Sequence, residues 1–110
     1  MVSEAEILDL VRSFEGEYEE EELVVGQGQG EKKLGVFKRD GRIFLVIWRG
    51  LEPLRIEVKC DEKLGKLLRG KYESVLTSRT LGRGGIEVVC SGQLSGEEVG
   101  DLVRFSWNYC

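Results

Sequence analysis

The chain has 110 residues, 41% of them hydrophobic and 33% charged, with a formal net charge of −4 and no histidine. That length holds one domain with a two-layer core and leaves no room for a separate catalytic domain beside it. The missing histidine excludes every nucleophile–histidine pair, and the longest apolar run, Ile43 to Trp48, falls far short of the roughly 20 residues of a membrane span.

Ser3 followed by Glu6 makes a capping box, and Ile7, Leu10, Val11 and Phe14 recur at helical spacing, so an amphipathic helix is expected from Ser3 to about Phe14, ended by Gly16. The acidic run Glu19 to Glu22 and the glycine run Gly26 to Gly30 read as loop and linker, with Leu23, Val24 and Val25 able to make a short strand between them. Three strands follow at Leu34 to Lys38, Arg42 to Trp48 and Leu54 to Lys59, the first two joined by the hairpin signal Asp40-Gly41. In the second strand, period-two alternation sends Phe44, Val46 and Trp48 to the face opposite Ile43, Leu45 and Ile47. In the third, Ile56, Val58 and Cys60 point inward while Arg55, Glu57 and Lys59 lie on a wet face.

Asp61 caps the next helix, expected to run to Arg69 with Leu64, Leu67 and Leu68 on its buried stripe and Gly70 at its end. Val75 to Thr80 and Ile86 to Cys90 form a second hairpin around the basic, glycine-rich loop Leu81 to Gly85. A capping box of Ser95 and Glu98 opens a last helix in which Val99, Leu102, Val103, Ser106 and Trp107 line one face. The order predicts an α+β domain, an antiparallel sheet with its helices gathered on one face, burying Ile7, Val11, Ile56, Val58, Leu67, Leu102 and Val103 together.

The Ile56-x-Val58-Lys59-Cys60-Asp61-x-x-Leu64 core, followed by Lys71-Tyr72 and a later hairpin and helix, resembles the MmcQ/YjbR family. The resemblance covers most of the chain and implies a frataxin-like (CyaY-like) two-layer sandwich, a cytoplasmic location and DNA binding. At the first helix end this chain keeps the glycine of the family's Leu-Pro-Gly turn as Gly16 and lacks its proline. In the second hairpin it has Thr77-Ser78-Arg79-Thr80-Leu81-Gly82-Arg83 where the family commonly carries an Asn-Lys-x-His-Trp-like stretch.

Cys60, Cys90 and Cys110 are an odd set with no close pair, and Cys60 and Cys90 fall on the inward phase of their strands. They read as small buried hydrophobes in a reducing compartment, with Cys110 the reactive one. The acidic opening segment does not have the basic start of a secretory signal, and with no membrane-length run the expected location is cytoplasmic. No cofactor or metal site is expected, because closely spaced Cys/His ligands are missing and the dense carboxylates lie in an expected loop. The same gaps argue against an enzyme: the cysteines have no activating base and the carboxylates no fixed separation.

Charge is distributed unevenly. Residues 1–31 carry ten acids against one base, a net of −9, whereas residues 32–90 carry fourteen bases against seven acids, a net of +7. Such polarity fits an anionic partner, with the acidic arm masking the basic part. The candidate nucleic-acid-binding residues are Arg42, Arg49, Arg55, Lys59, Arg79 and Arg83, with Trp48 as a base-stacking ring on an open sheet face and Arg79 and Arg83 at the tip of a basic wing. The partner on this reading is DNA or a single-stranded nucleic acid. The alternative is a protein-interaction module or homodimer that covers the outer sheet face around Phe44 and Trp48.

Overall fold

The computed structural model describes residues 2–26 and 30–109, so the middle of the glycine run and Cys110 lie outside the described residues. Helix α1 (Glu4–Arg12) is followed by β1 (Glu19–Val25), β2 (Lys32–Arg39), β3 (Arg42–Trp48), β4 (Arg55–Lys59), α2 (Glu62–Lys71), β5 (Val75–Ser78), β6 (Gly82–Val89) and α3 (Gly96–Tyr109). The six strands form one antiparallel sheet in the order β1-β2-β3-β4-β6-β5. Ile7 and Val11 of α1, the half-buried Leu64 and Leu68 of α2, and Val99, Val103 and Trp107 of α3 share a core with Leu45, Ile47, Ile56, Val58, Ile86 and Val88. The α+β class with helices on one sheet face is therefore as expected.

The caps explain where the helices start. Ser3 Oγ accepts the Glu6 N–H at 3.2 Å and Asp61 Oδ1 accepts the Leu64 N–H at 2.8 Å. At α3 the box is reciprocal, Ser95 Oγ accepting from Glu98 N at 3.1 Å and Glu98 Oε1 from Ser95 N at 3.0 Å. Asp40 and Gly41 both take positive φ, 53° and 77°, as a two-residue hairpin turn demands.

Four expectations need correction. The glutamates 19 to 22 are not a loop: they are the first four residues of β1, paired from Glu19↔Lys38 to Val25↔Lys32, where ladder hydrogen bonds and cross-strand lysines outweigh poor strand propensity. The segment Leu81 to Gly85 is not a hairpin loop either. The turn is Arg79 to Leu81, and β6 already begins at Gly82.

The third correction is a β-bulge. Leu45 pairs with Phe37 and Ile43 with Lys38, so Phe44 is an extra residue on β3. The insertion reverses the phase: Phe44 turns into the helix-covered core with its ring centroid 5.0 Å from that of Trp107, and Ile43 joins Leu34, Val36, Val46 and Trp48 on the other face. Ser106 of α3 sits where the β3–β4 pairing ends beside the bulge, and its hydroxyl donates to the Phe44 carbonyl and accepts the Lys59 N–H at 2.8 Å.

The fourth is Leu67, which is 67% exposed. Helix α2 meets the sheet through Gly65, where a Cβ would lie 3.2 Å from Cys60 Sγ and 3.3 Å from Ile86. This close approach rolls the buried stripe toward Leu64, Gly65 and Leu68 and turns Leu67 out. Leu102 is half-buried at the edge of the core.

Two substitutions test this architecture by denaturant unfolding. Ser106→Ala leaves a buried carbonyl and a buried N–H without their partner and is expected to cost about 1–3 kcal/mol. Leu67→Ala is expected to change stability by no more than about 0.5 kcal/mol, as at an exposed helix position.

Candidate nucleic-acid interface

The outer sheet face is not an open basic surface. Glu57, expected on a wet face, is fully buried there, and Glu87, its direct cross-strand partner, is 1% exposed. Two carboxylates side by side out of water repel and lose hydration, so each needs donors. Glu57 accepts from Trp48 Nε1 at 2.9 Å, Thr80 N at 2.8 Å, Thr80 Oγ1 at 2.8 Å and the Ser78 hydroxyl. Burial alone pushes its pKa up, but these hydrogen bonds outweigh that and hold it below the ordinary carboxylate range. Glu87 takes cations instead, Arg55 Nη1 at 2.9 Å and Arg79 through Nε at 2.8 Å and Nη2 at 3.0 Å. The bond to Glu87 raises the Arg79 pKa further.

The turn between β5 and β6 is thereby drawn down over the sheet. The Arg79 guanidinium lies 3.8 Å from the Trp48 ring centroid, and Trp48 is only 7% exposed. Trp48 therefore cannot stack on a base in this structure, and Arg79 is no projecting wing. Phe44 and Trp48 are equally unable to anchor a partner on this face, since both are buried. A cleft of about 400 Å³ beside the network is lined by Lys32, Trp48, Glu52, Arg55 and Arg79, among others. Its charges balance, Arg55 and Arg79 against Glu57 and Glu87 and Lys32 against Glu52, so it offers no surplus for an anion.

The remaining candidate cations, Arg49 and the set Arg42, Lys59 and Arg83, separate into two groups. Arg49 is committed to the acidic arm, with ion pairs to Glu4 at 3.3 Å and Glu20 at 3.2 Å, and its guanidinium crosses Gly35 where a Cβ would lie 2.6 Å from Nη2. Lys38 likewise pairs with Glu21 at 3.3 Å. Because successive strand residues point to opposite faces, the glutamates of β1 divide, Glu19 and Glu21 on one face and Glu20 and Glu22 on the other, and one of each pair is held by a cation, Glu21 by Lys38 and Glu20 by Arg49. Among the described residues, no group of three or more Cys, Asp or Glu side chains is placed to hold a metal ion.

Arg42, Lys59 and Arg83 form the second group. Antiparallel pairing puts the first residue of β3, the last of β4 and the second of β6 at the same end of three neighbouring strands. Among the described residues, none of these three side chains has an ion pair or hydrogen bond. Helix α2 begins at that end and adds Lys63 and Lys66, both exposed. These two lysines were part of the basic region in the sequence but had no signal to single them out. The buried roles of Glu57 and Glu87 had none either, since a strand glutamate at the outward phase reads as solvated.

No family model matches this chain, and no curated protein matches it. Among solved structures it is similar to the crystal structure of Deinococcus radiodurans protein DR2400, which carries the family-model domain DUF419. The TM-score is 0.69 over 94% of this chain and 74% of that one, at 19% sequence identity. At that identity the likeness is one of fold, α+β with helices on one face of an antiparallel sheet. Among the described residues, no helix is long and apolar enough to cross a membrane.

Two measurements test the site. Glu57→Gln places an amide among donors and is expected to destabilise the fold by about 1–3 kcal/mol. Because the folded-state pKa of Glu57 is depressed, its ionisation stabilises the fold above the unfolded-state value, near 4.5, and this is lost as pH falls through the folded value. The acid side of the wild-type stability profile should therefore flatten in Glu57→Gln.

Cys60 and Cys90 are free and buried. Burial, and for Cys60 also the neighbouring Asp61 charge, pushes both thiols up, Cys90 to about 11. Both should resist alkylation at neutral pH until the chain unfolds, which mass spectrometry after timed labelling would show.

Proposed function

We propose that this chain is a non-enzymatic, MmcQ/YjbR-like domain that binds nucleic acid weakly through the phosphate backbone. The observation that carries the reading is the set of unpaired cations Arg42, Lys59 and Arg83 at one end of β3, β4 and β6, next to the start of α2. Lys59 and Arg83 lie on the outward phase of their strands and Arg42, opposite Arg39, on the helix-side phase, so the three charges spread over one end of the sheet, which suits a polyanion better than a compact ligand. Trp48 is enclosed and supplies no stacking surface, so the contact proposed is electrostatic and carries little base readout. The family reading rests on the run from Ile56 to Leu64, and the fold likeness agrees with the sandwich that it implies.

Affinity for duplex and single-stranded oligonucleotides, measured by anisotropy across a salt series, tests this. Three neutralised phosphates give a log–log slope of about −3 on duplex and about −2 on a single strand. Arg42→Gln, Lys59→Gln and Arg83→Gln should each reduce the slope by about 1 on duplex. Arg49→Gln and Arg55→Gln, whose charges are already committed, should leave it unchanged. Absence of binding at low salt would end the nucleic-acid reading.

A further inference from the structure

The outward face of α2 combines two features that its role in the core does not require. Leu67 stands 67% exposed at its centre, and Lys63, Lys66, Gly70 and Lys71 surround it, enclosing a shallow depression of about 620 Å³. Gly70 opens the depression on one side, since a Cβ there would meet nothing within 4 Å. Lys63 and Lys71 lie one helical turn before and after Leu67, so their aliphatic stems extend the apolar floor while their ammonium groups ring it. Among the described residues, Lys63 and Lys66 have no ion pair, and Lys71 lies 5.2 Å from the Tyr72 ring. Among the described residues, no acid lines the depression.

We infer that this face of α2 is a docking surface for an acidic segment of a partner protein that carries an apolar side chain to set beside Leu67 over Gly70. Charge complementarity selects the acidic partner, and the leucine selects a protein. Lysines alone would serve a phosphate backbone, to which an exposed leucine adds nothing. A membrane surface would need a broad apolar face, and here one leucine stands among charges. A second copy of this chain fits poorly, because its acidic and apolar stretch is β1, already paired to β2, with Glu20 and Glu21 committed to Arg49 and Lys38. The arrangement is that of helix-in-groove recognition, with one apolar anchor inside a charged rim.

The probe is a fluorescein-labelled synthetic amphipathic helix with a leucine stripe flanked by glutamates, titrated with the full chain at near-physiological salt. A control peptide keeps the glutamates and replaces the leucines by serine. The inference expects the leucine peptide to bind, with amide NMR shifts confined to α2, and Leu67→Ser or the serine peptide to weaken binding by about tenfold or more. Because Leu67 is exposed, Leu67→Ser leaves the fold intact, and Lys63→Glu with Lys66→Glu should abolish binding. Equal binding of both peptides, indifference to Leu67→Ser, or shifts centred elsewhere would overturn it. So would a loss of oligonucleotide affinity in Leu67→Ser as large as the loss of peptide affinity, which would give the face to nucleic acid. Concentration-dependent shifts at α2 without peptide would give it to a second copy, and the inference would fall. None of these outcomes depends on the strand-end cations Arg42, Lys59 and Arg83.

Discussion

The buried carboxylate of Glu57 organises the outer half of this molecule. A carboxylate without water needs hydrogen bonds to all of its lone-pair directions, and here four donors from β3, the end of β5 and the β5–β6 turn supply them. Fixing Trp48 by its indole N–H sets the ring on which Arg79 lies, and fixing Thr80 sets the turn that delivers Arg79. Arg79 and Arg55 then neutralise Glu87, the carboxylate directly across the ladder. Two acids and two guanidiniums close into a neutral, hydrogen-bonded assembly where alternation alone would leave charged side chains in water. One misplaced donor would leave a buried charge unmatched, so the network ties the hairpin tip to the centre of the sheet.

The opposite face depends on a different local device. The extra residue at Phe44 breaks the β2–β3 ladder and turns the ring toward Trp107 and Tyr18, where Phe14 and Phe37 complete an aromatic cluster. The β3–β4 pairing stops at Leu45↔Val58 beside the bulge, and Ser106 of α3 bridges the Phe44 carbonyl and the Lys59 N–H there. The Arg39 guanidinium lies 4.2 Å from the Trp107 ring centroid and donates to the Trp107 carbonyl at 2.8 Å, which fastens the last turn of that helix to β2. Phe44 and Ser106 are thus the joint between sheet and helix layer.

The polarity of charge along the chain becomes a polarity across the sheet. The acidic strand β1 is the edge, and β2 and β3 separate it from β4, so its glutamates reach Arg49 and Lys38 and leave the strand-end cations uncovered. An acidic arm that masks the whole basic region, the simple expectation from the charge count, is not what the pairing produces. Arg49, Arg55 and Arg79 are used inside the fold, while Arg42, Lys59 and Arg83 remain available. The function proposed above follows from that sorting, which a count of lysines and arginines cannot make.

The sequence by itself determined the class and most of the elements, but not the strand start at Glu19 to Glu22, which exists only because β2 pairs with it. Capping boxes at Ser3 and Ser95, the Asp61 cap and the Asp40-Gly41 turn act within four residues, so their chemistry is complete in the local chain. The inward phase of Ile56, Val58 and Cys60 was equally legible, because no insertion interrupts β4. Only the tertiary structure decided the phase of Phe44, since a bulge exists only when a partner strand defines the register. Only it decided that Glu57 is buried, because the donors come from residues 9 to 23 positions away. Leu67 was misplaced for a related reason: a glycine carries no hydrophobic signal, yet Gly65 sets how closely α2 approaches the sheet and therefore which leucine faces water. Which cations are free for a partner depends on the same long-range pairings, and those are fixed by the folded sheet.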